Sequence, residues 1–183
     1  MKENKIVLLL PFSVMVGLFI FGYLSLGGTE TISNENLKNA VSVHMEKVAE
    51  DTVKVDWQWN DFPEDGLHGN DYIELVYEDG NNEVIHSETT LFQGDAPVYE
   101  GEEWFFSAEG AVAVFPNEMQ DNRMLGPAGT VTFQLSEPVT DAVVVRYYHT
   151  WTEHQLTGEE TSRLKDRFEE EQIQSYWVVE TEG

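Results

Sequence analysis

The sequence has no cysteine. That excludes disulfides, thiol catalysis, cysteine-ligated metals and a lipid-modified cysteine anchor. Bases are scarce too: 10 Lys and Arg stand against 34 Asp and Glu, a formal net charge of −24. Nucleic-acid binding rests on basic side chains neutralising phosphates, so nucleic acid is excluded as a partner. Anionic lipid heads and anionic wall polymers are repelled, while cations and basic protein faces are attracted. The plainest reading of this acidity is a hydrated, unaggregated surface in salty or alkaline surroundings. Motifs that fix a reaction are also missing. There is no GxSxG elbow, no glycine-rich phosphate loop and no HExxH or HxH. No internal repeat or low-complexity segment appears.

One long hydrophobic run is present. Ile6–Leu26 reads IVLLLPFSVMVGLFIFGYLSL and carries no charge. As a helix it is long enough to cross a hydrocarbon core of about 30 Å. Pro11, Gly17 and Gly22 are tolerated in lipid, where backbone groups pair internally. Lys2 and Lys5 precede the run, and Glu30 and Glu35 come after it. The positive-inside rule then places the N-terminus in the cytoplasm and the remainder outside. A cleaved signal with Ser25-Leu26-Gly27 at its end is the rival, but the run exceeds the usual signal core of about 7–15 residues. The expected organisation is a cytoplasmic tail over 1–5, a transmembrane anchor over 6–26, a linker over 27–36 and an acidic extracytoplasmic domain over 37–183. Export without disulfides points to a bacterial cell membrane.

The domain alternates in short runs. Val53, Val55, Trp57 and Trp59 interleave with Lys54, Asp56 and Gln58, which predicts a strand over 52–60. Residues 37–48 fit both a helical stripe and a strand; the neighbouring strand favours a strand over 41–47. Further strands are predicted over 72–78, 83–90, 104–106, 112–115, 131–135, 142–151 and 176–179, with 142–151 as a central one. Asp79-Gly80-Asn81-Asn82 predicts a hairpin joining 72–78 to 83–90. Residues 61–71, 94–103 and 116–129 read as loops. Leu164, Phe168 and Gln172 recur at helical spacing, so a helix is predicted over 161–172, capped by Thr161 or Ser162.

Seven to nine short strands with one late helix predict a mainly β fold, an antiparallel β-sandwich. The succession VKVDWQW, DYIELVY and VVVRYYHTW resembles a fibronectin III or immunoglobulin-like module over about two-thirds of the domain. A jelly roll and a half-open barrel stay open, and the resemblance implies no function.

Four groups of residues are weighed as sites. Asp61, Glu64, Asp65, Asn70 and Asp71 offer oxygen ligands of the kind calcium takes, although Pro63 and Tyr72 break the EF-hand pattern. Calcium is the one cofactor this suggests; otherwise none is expected. His149 and His154 lack the converging ligands of a zinc site. Trp57 and Trp59 share the face that a core seam requires, whereas Tyr148 and Trp151 lie near a strand end and are the candidates for an exposed binding surface. Carboxylates are too numerous to mark an acid–base pair. The expected function is a membrane-anchored binding module for a protein, peptide or wall component, and an enzyme is not favoured. The alternatives are an exported hydrolase of a sugar or wall polymer and a calcium-stabilised adhesion domain.

Overall fold

The computed structural model describes residues 4–26, 32–77, 83–140, 142–154, 156 and 162–182. The chain divides into two compact units, Met1–Thr31 and Ile32–Gly183. In the first, α1 (Asn4–Leu26) runs through Pro11. Its 23 residues rise about 34 Å at 1.5 Å each. The side chains described in α1 are those of 11–23, and within the described residues no helix is long and apolar enough to cross a membrane.

The second unit is mainly β, in antiparallel sheets. Sheet A has the order β1 (Val41–Ala49), β2 (Thr52–Trp59), β10 (Ala128–Leu135), β4 (Val84–Gln93), β5 (Ala96–Gly101). Sheet B has the order β12 (Tyr176–Glu182), β11 (Val144–Thr150), β3 (Asn70–Val76), β7 (Gly110–Pro116), β6 (Trp104–Ser107). A small ribbon, β8 (Met119–Gln120) and β9 (Arg123–Met124), turns through Asp121 and Asn122, both left-handed. That ribbon and the start of β10 occupy most of the loop expected over 116–129.

The period-two pattern of β2 sends Val53, Val55, Trp57 and Trp59 inward, where Val131, Phe133 and Leu135 of β10 join them. Ile73, Leu75, Ala111, Ala113, Phe115, Val145 and Tyr147 of sheet B meet them in one core. Trp57 stacks on Phe115 across that core, with ring centroids 4.5 Å apart. Gly129 makes this packing feasible: a Cβ there would stand 2.4 Å from the Trp57 indole.

The outer face of sheet B is buried as well. Tyr72, Val112, Val114 and Tyr148 pack against Leu164 and Phe168 of α2 (Leu164–Glu170) and against Ile173. A sheet covered on both faces reads as continuous apolar runs, which is why β7 and β11 lack clean alternation. Residues 41–49 form a strand, and β11 is interior, flanked by β12 and β3.

Three local expectations are corrected. Residues 79–82 lie outside the described residues, but the strands before and after them, β3 and β4, do not pair as the hairpin requires. β3 pairs with β11 and β7, while β4 pairs with β10 and β5. The reason is burial: β3 hides both faces, and only the interior of sheet B offers that, whereas β4 leaves Ile85, His86 and Glu88 exposed. Residues 94–103 are not an open loop, because Gly94, with φ 62°, turns β4 back into β5. Finally, α2 is shorter than predicted. Arg163 precedes it without a side-chain cap, and Gln172, with φ 60°, lies just beyond its end; Thr161 falls outside the described residues.

Candidate functional site

Because β2 and β10 turn their apolar residues inward, their polar partners stand on the outer face of sheet A. Cross-strand register places Ser42, Gln58 and Ala128 in one row, and His44, Asp56 and Thr130 in the next. With Phe92 of β4 and Gly94 and Asp95 of the β4–β5 turn they line an open groove of about 470 Å³. Asp56 Oδ1 accepts a hydrogen bond from Thr130 Oγ1 at 2.6 Å and pairs with Lys54 Nζ at 2.9 Å. Ser42 Oγ accepts from Asn60 Nδ2 at 3.3 Å. Ser42, His44 and Asp56 share this face but are not hydrogen-bonded to one another as an acid–base relay would be. The groove offers donors and acceptors to a ligand, with Phe92 and Trp57 in its lining.

The second concentration of polar groups is sealed between the sheets. Asp71 and His149 are both fully buried. Asp71 Oδ2 accepts from the Tyr147 hydroxyl at 2.6 Å, and Oδ1 accepts from Thr150 N at 3.0 Å and Asn117 Nδ2 at 3.2 Å. His149 Nδ1 lies 3.1 Å from both carboxylate oxygens, and Nε2 lies 2.9 Å from Asn34 Oδ1. Asn117 Nδ2, with two hydrogens, lies within reach of three acceptors: the Thr150 carbonyl at 3.0 Å, Asp71 Oδ1 at 3.2 Å and His149 Nδ1 at 3.2 Å. The imidazole is boxed by three indoles, those of Trp59, Trp151 and Trp177, at centroid distances of 4.9, 5.7 and 4.9 Å. Trp59 Nε1 donates to the Tyr147 hydroxyl at 3.0 Å. Burial, reinforced by the charge of Asp71, raises the Tyr147 phenol pKa well above its ordinary value. No solvent or substrate reaches these groups, so this is not an open acid–base centre.

Of the residues singled out from sequence, Asp71 enters the sealed network. Asp65 accepts the Asn34 N–H at 2.9 Å, Asp61 accepts the Phe62 N–H at 2.8 Å, and the Glu64 N–H bonds the Ile32 carbonyl. Among the described residues no three His, Asp or Glu side chains are grouped to hold a metal ion. Tyr148 is not the exposed ring expected. It is buried beneath α2, and its hydroxyl donates to Glu74 at 3.0 Å. Trp151 is half-buried against His149. His154 stands apart from His149, bonded to the Tyr72 hydroxyl at 2.8 Å. Sequence reasoning missed Asn34, Asn117 and Trp177 as network members. They come from distant segments, and the one local signal was a lone histidine inside the apolar run of β11.

No family model, curated protein or solved structure matches the chain.

Proposed function

We propose that this chain is a single-pass, N-in membrane protein whose acidic β unit is a binding module outside the cytoplasm, and that the outer face of sheet A takes the ligand. The observation that carries the binding reading is an asymmetry. Sheet B is covered on both faces, whereas sheet A turns its outer face to solvent and hollows it into an open groove lined by both polar and apolar groups. Concave sites of this size orient ligands through a few placed polar groups. The groove's hydroxyl–carboxylate pair, Thr130 with Asp56, is also tied to Lys54, so Asp56 is committed to its neighbours on this face. Asp56 and Asp95 within it, on a strongly acidic chain, suit a neutral or basic polar ligand such as a glycan or peptide of the cell surface.

The uncharged run Ile6–Leu26, its helical conformation and the lysines ahead of it support the anchor. The strand order supports an immunoglobulin-type frame. β1-β2-β10-β4 and β12-β11-β3 match the A-B-E-D and G-F-C orders, with β5 to β9 inserted between the D and E positions.

The absence of native cysteine supplies the topology test. Gln134→Cys on the outer face of sheet A is expected to react with a membrane-impermeant maleimide on intact cells, and Glu3→Cys only after lysis. The opposite pattern would overturn the orientation, and recovery of the chain in the soluble fraction would overturn the anchor. For the groove, Ala128→Tyr is expected to abolish retention of the detergent-solubilised chain on whichever of a panel of neutral wall polysaccharides and basic peptides holds the parent chain. Retention that survives the blocked groove, or no retention at all, would reject this face.

A further inference from the structure

We propose that β1 is an interface: two copies of this chain pair edge to edge through it, antiparallel and centred on Met45. The two sheets present four edges, β1 and β5 of sheet A and β12 and β6 of sheet B. An open edge is a template for further pairing, and proteins commonly blunt it with short strands, proline, bulges or charge. Three of these edges are blunted. β5 contains Pro97 and an irregular register against β4. β6 has four residues. β12 exposes the carboxylates of Glu180 and Glu182. β1 is different. It has nine residues, VSVHMEKVA, with neither proline nor glycine, and among the described residues β2 is its one strand partner.

Backbone parity decides what this edge offers. Asn60 N donates to the Ala40 carbonyl at 2.7 Å, and the register pairs Ser42 with Gln58, His44 with Asp56 and Glu46 with Lys54. Hydrogen-bonded pairs alternate along an antiparallel ladder, so these even-numbered residues bond to β2. The N–H and C=O groups of Val41, Val43 and Met45 therefore point away from β2. Their side chains are half-buried against the core, while Ser42, His44 and Glu46 are exposed.

The side chains select the occupant. β1 carries both signs, Glu46 beside Lys47, so a segment charged with one sign meets a like charge. A second β1 does not. Centred on Met45, the two strands overlap along their whole length, and the outward-pointing residues form the hydrogen-bonded pairs: Met45 with Met45, and Val43 with Lys47 of the second copy. His44 then stands opposite Glu46 of the second copy, and the two-fold axis repeats the contact. These are non-hydrogen-bonded positions, where side chains come closest, and an imidazole N–H there meets a carboxylate. Moving the centre to His44 sets His44 against itself and Glu46 against Ser42. The bulge between Lys47 and Ala49 confines the new ladder to 43–47. Pairing makes the two copies of sheet A one continuous sheet, and each row of His44, Asp56 and Thr130 runs on into Glu46 and Lys54 of the other copy. A long ligand then spans both grooves. That consequence rests on the groove reading; the pairing itself does not.

Light scattering of the full chain in detergent micelles, without ligand, tests the pairing. The parent chain is expected at twice the protein mass of Val43→Pro, which removes an outward N–H but no bond to β2, a substitution that edge strands accept. Added salt screens the repulsion between two chains of formal charge −24, so it should raise the dimer fraction. A parent chain that is monomeric in low and high salt, or a dimer that persists in Val43→Pro, would overturn the proposal. Should Val43→Pro not fold, cysteine mapping decides, since the chain has no cysteine of its own. Across the dyad two Met45→Cys positions stand at a Cα separation of about 5.5 Å, within disulfide range, whereas two Val43→Cys positions lie about 13 Å apart along the strands. Mild oxidation should cross-link Met45→Cys and not Val43→Cys. Equal yields, or none, would reject the pairing.

Discussion

The two sheets are built from the same number of strands and share one core, yet they solve different problems. Sheet A alternates cleanly, with Val53, Val55, Trp57 and Trp59 inward and Lys54, Asp56 and Gln58 outward. Sheet B buries both faces, and its cost is visible in the polar groups it must satisfy. Glu74 is fully buried and accepts from Tyr148, Ser107 and Arg146; Asp71 is fully buried and meets four partners. Burial disfavours the charge of Arg146, but the hydrogen bonds it donates to Glu180 and Glu109 outweigh that and keep it charged. A carboxylate in such surroundings is tolerated only when paired. Sheet A is thus free to vary on its outer face, while sheet B is not.

The largest expected effect tests the buried polar end of sheet B. Asp71→Ala strands His149, the Tyr147 hydroxyl and the Thr150 N–H, and should cost about 3–5 kcal/mol in urea unfolding. A loss below about 1 kcal/mol would mean the network relaxes freely. Next comes the cover on the outer face. Phe168 packs against Tyr72, Tyr148 and Tyr176, and Phe168→Ala should cost about 3–4 kcal/mol by the same measurement. Gly129→Ala sharpens the comparison from the core side of sheet A. The new methyl meets the Trp57 indole, and overpacking of this kind costs about 1–3 kcal/mol.

Alkali should also act through sheet B, where Tyr72, Tyr147 and Tyr148 lie. Burial, and then the neighbouring Asp71 or Glu74, raises all three phenols above their ordinary value. In the unfolded chain they lose their protons near pH about 10, so above it the native state binds more protons and stability falls as pH rises. Stability below that pH is unaffected by this term. Tyr148→Phe should flatten the decline, and an unchanged slope in pH-dependent denaturation would exclude Tyr148 as a contributor. The smallest effect belongs to sheet A: Thr132→Ala, on its outer face, should change stability by no more than about 0.5 kcal/mol. A cost as large as that of Phe168→Ala would erase the distinction between the sheets.

Sheet A was the legible half. Period two in β2 and β10 declares both the strand and its inward face, since alternate side chains point to opposite sides. Sheet B was legible as β but not as topology. The Asp79–Asn82 signal is local, whereas the pairing of β3 with β11 and β7 depends on residues far along the chain. Tyr148 near a strand end looked accessible because nothing in VVVRYYHTW announces that α2 will lie over it. The groove was invisible for a related reason: Ser42, Asp56, Phe92 and Thr130 belong to four separated strands, and only register brings them together.

By itself the sequence determined the uncharged run near the N-terminus, the disulfide-free acidic composition and the mainly β character of the domain with its one late helix. These are set by composition and by short-range periodicity, which no distant contact can change. The tertiary structure alone decided which strands pair and that Asp71 and Tyr148 are buried. It also decided that Asn34, from a stretch that reads as linker, completes a network with Asn117, His149 and Trp177. Those outcomes depend on which apolar faces find cover. That is a property of the whole packed chain, because a buried polar group is stable only where distant segments deliver its partners.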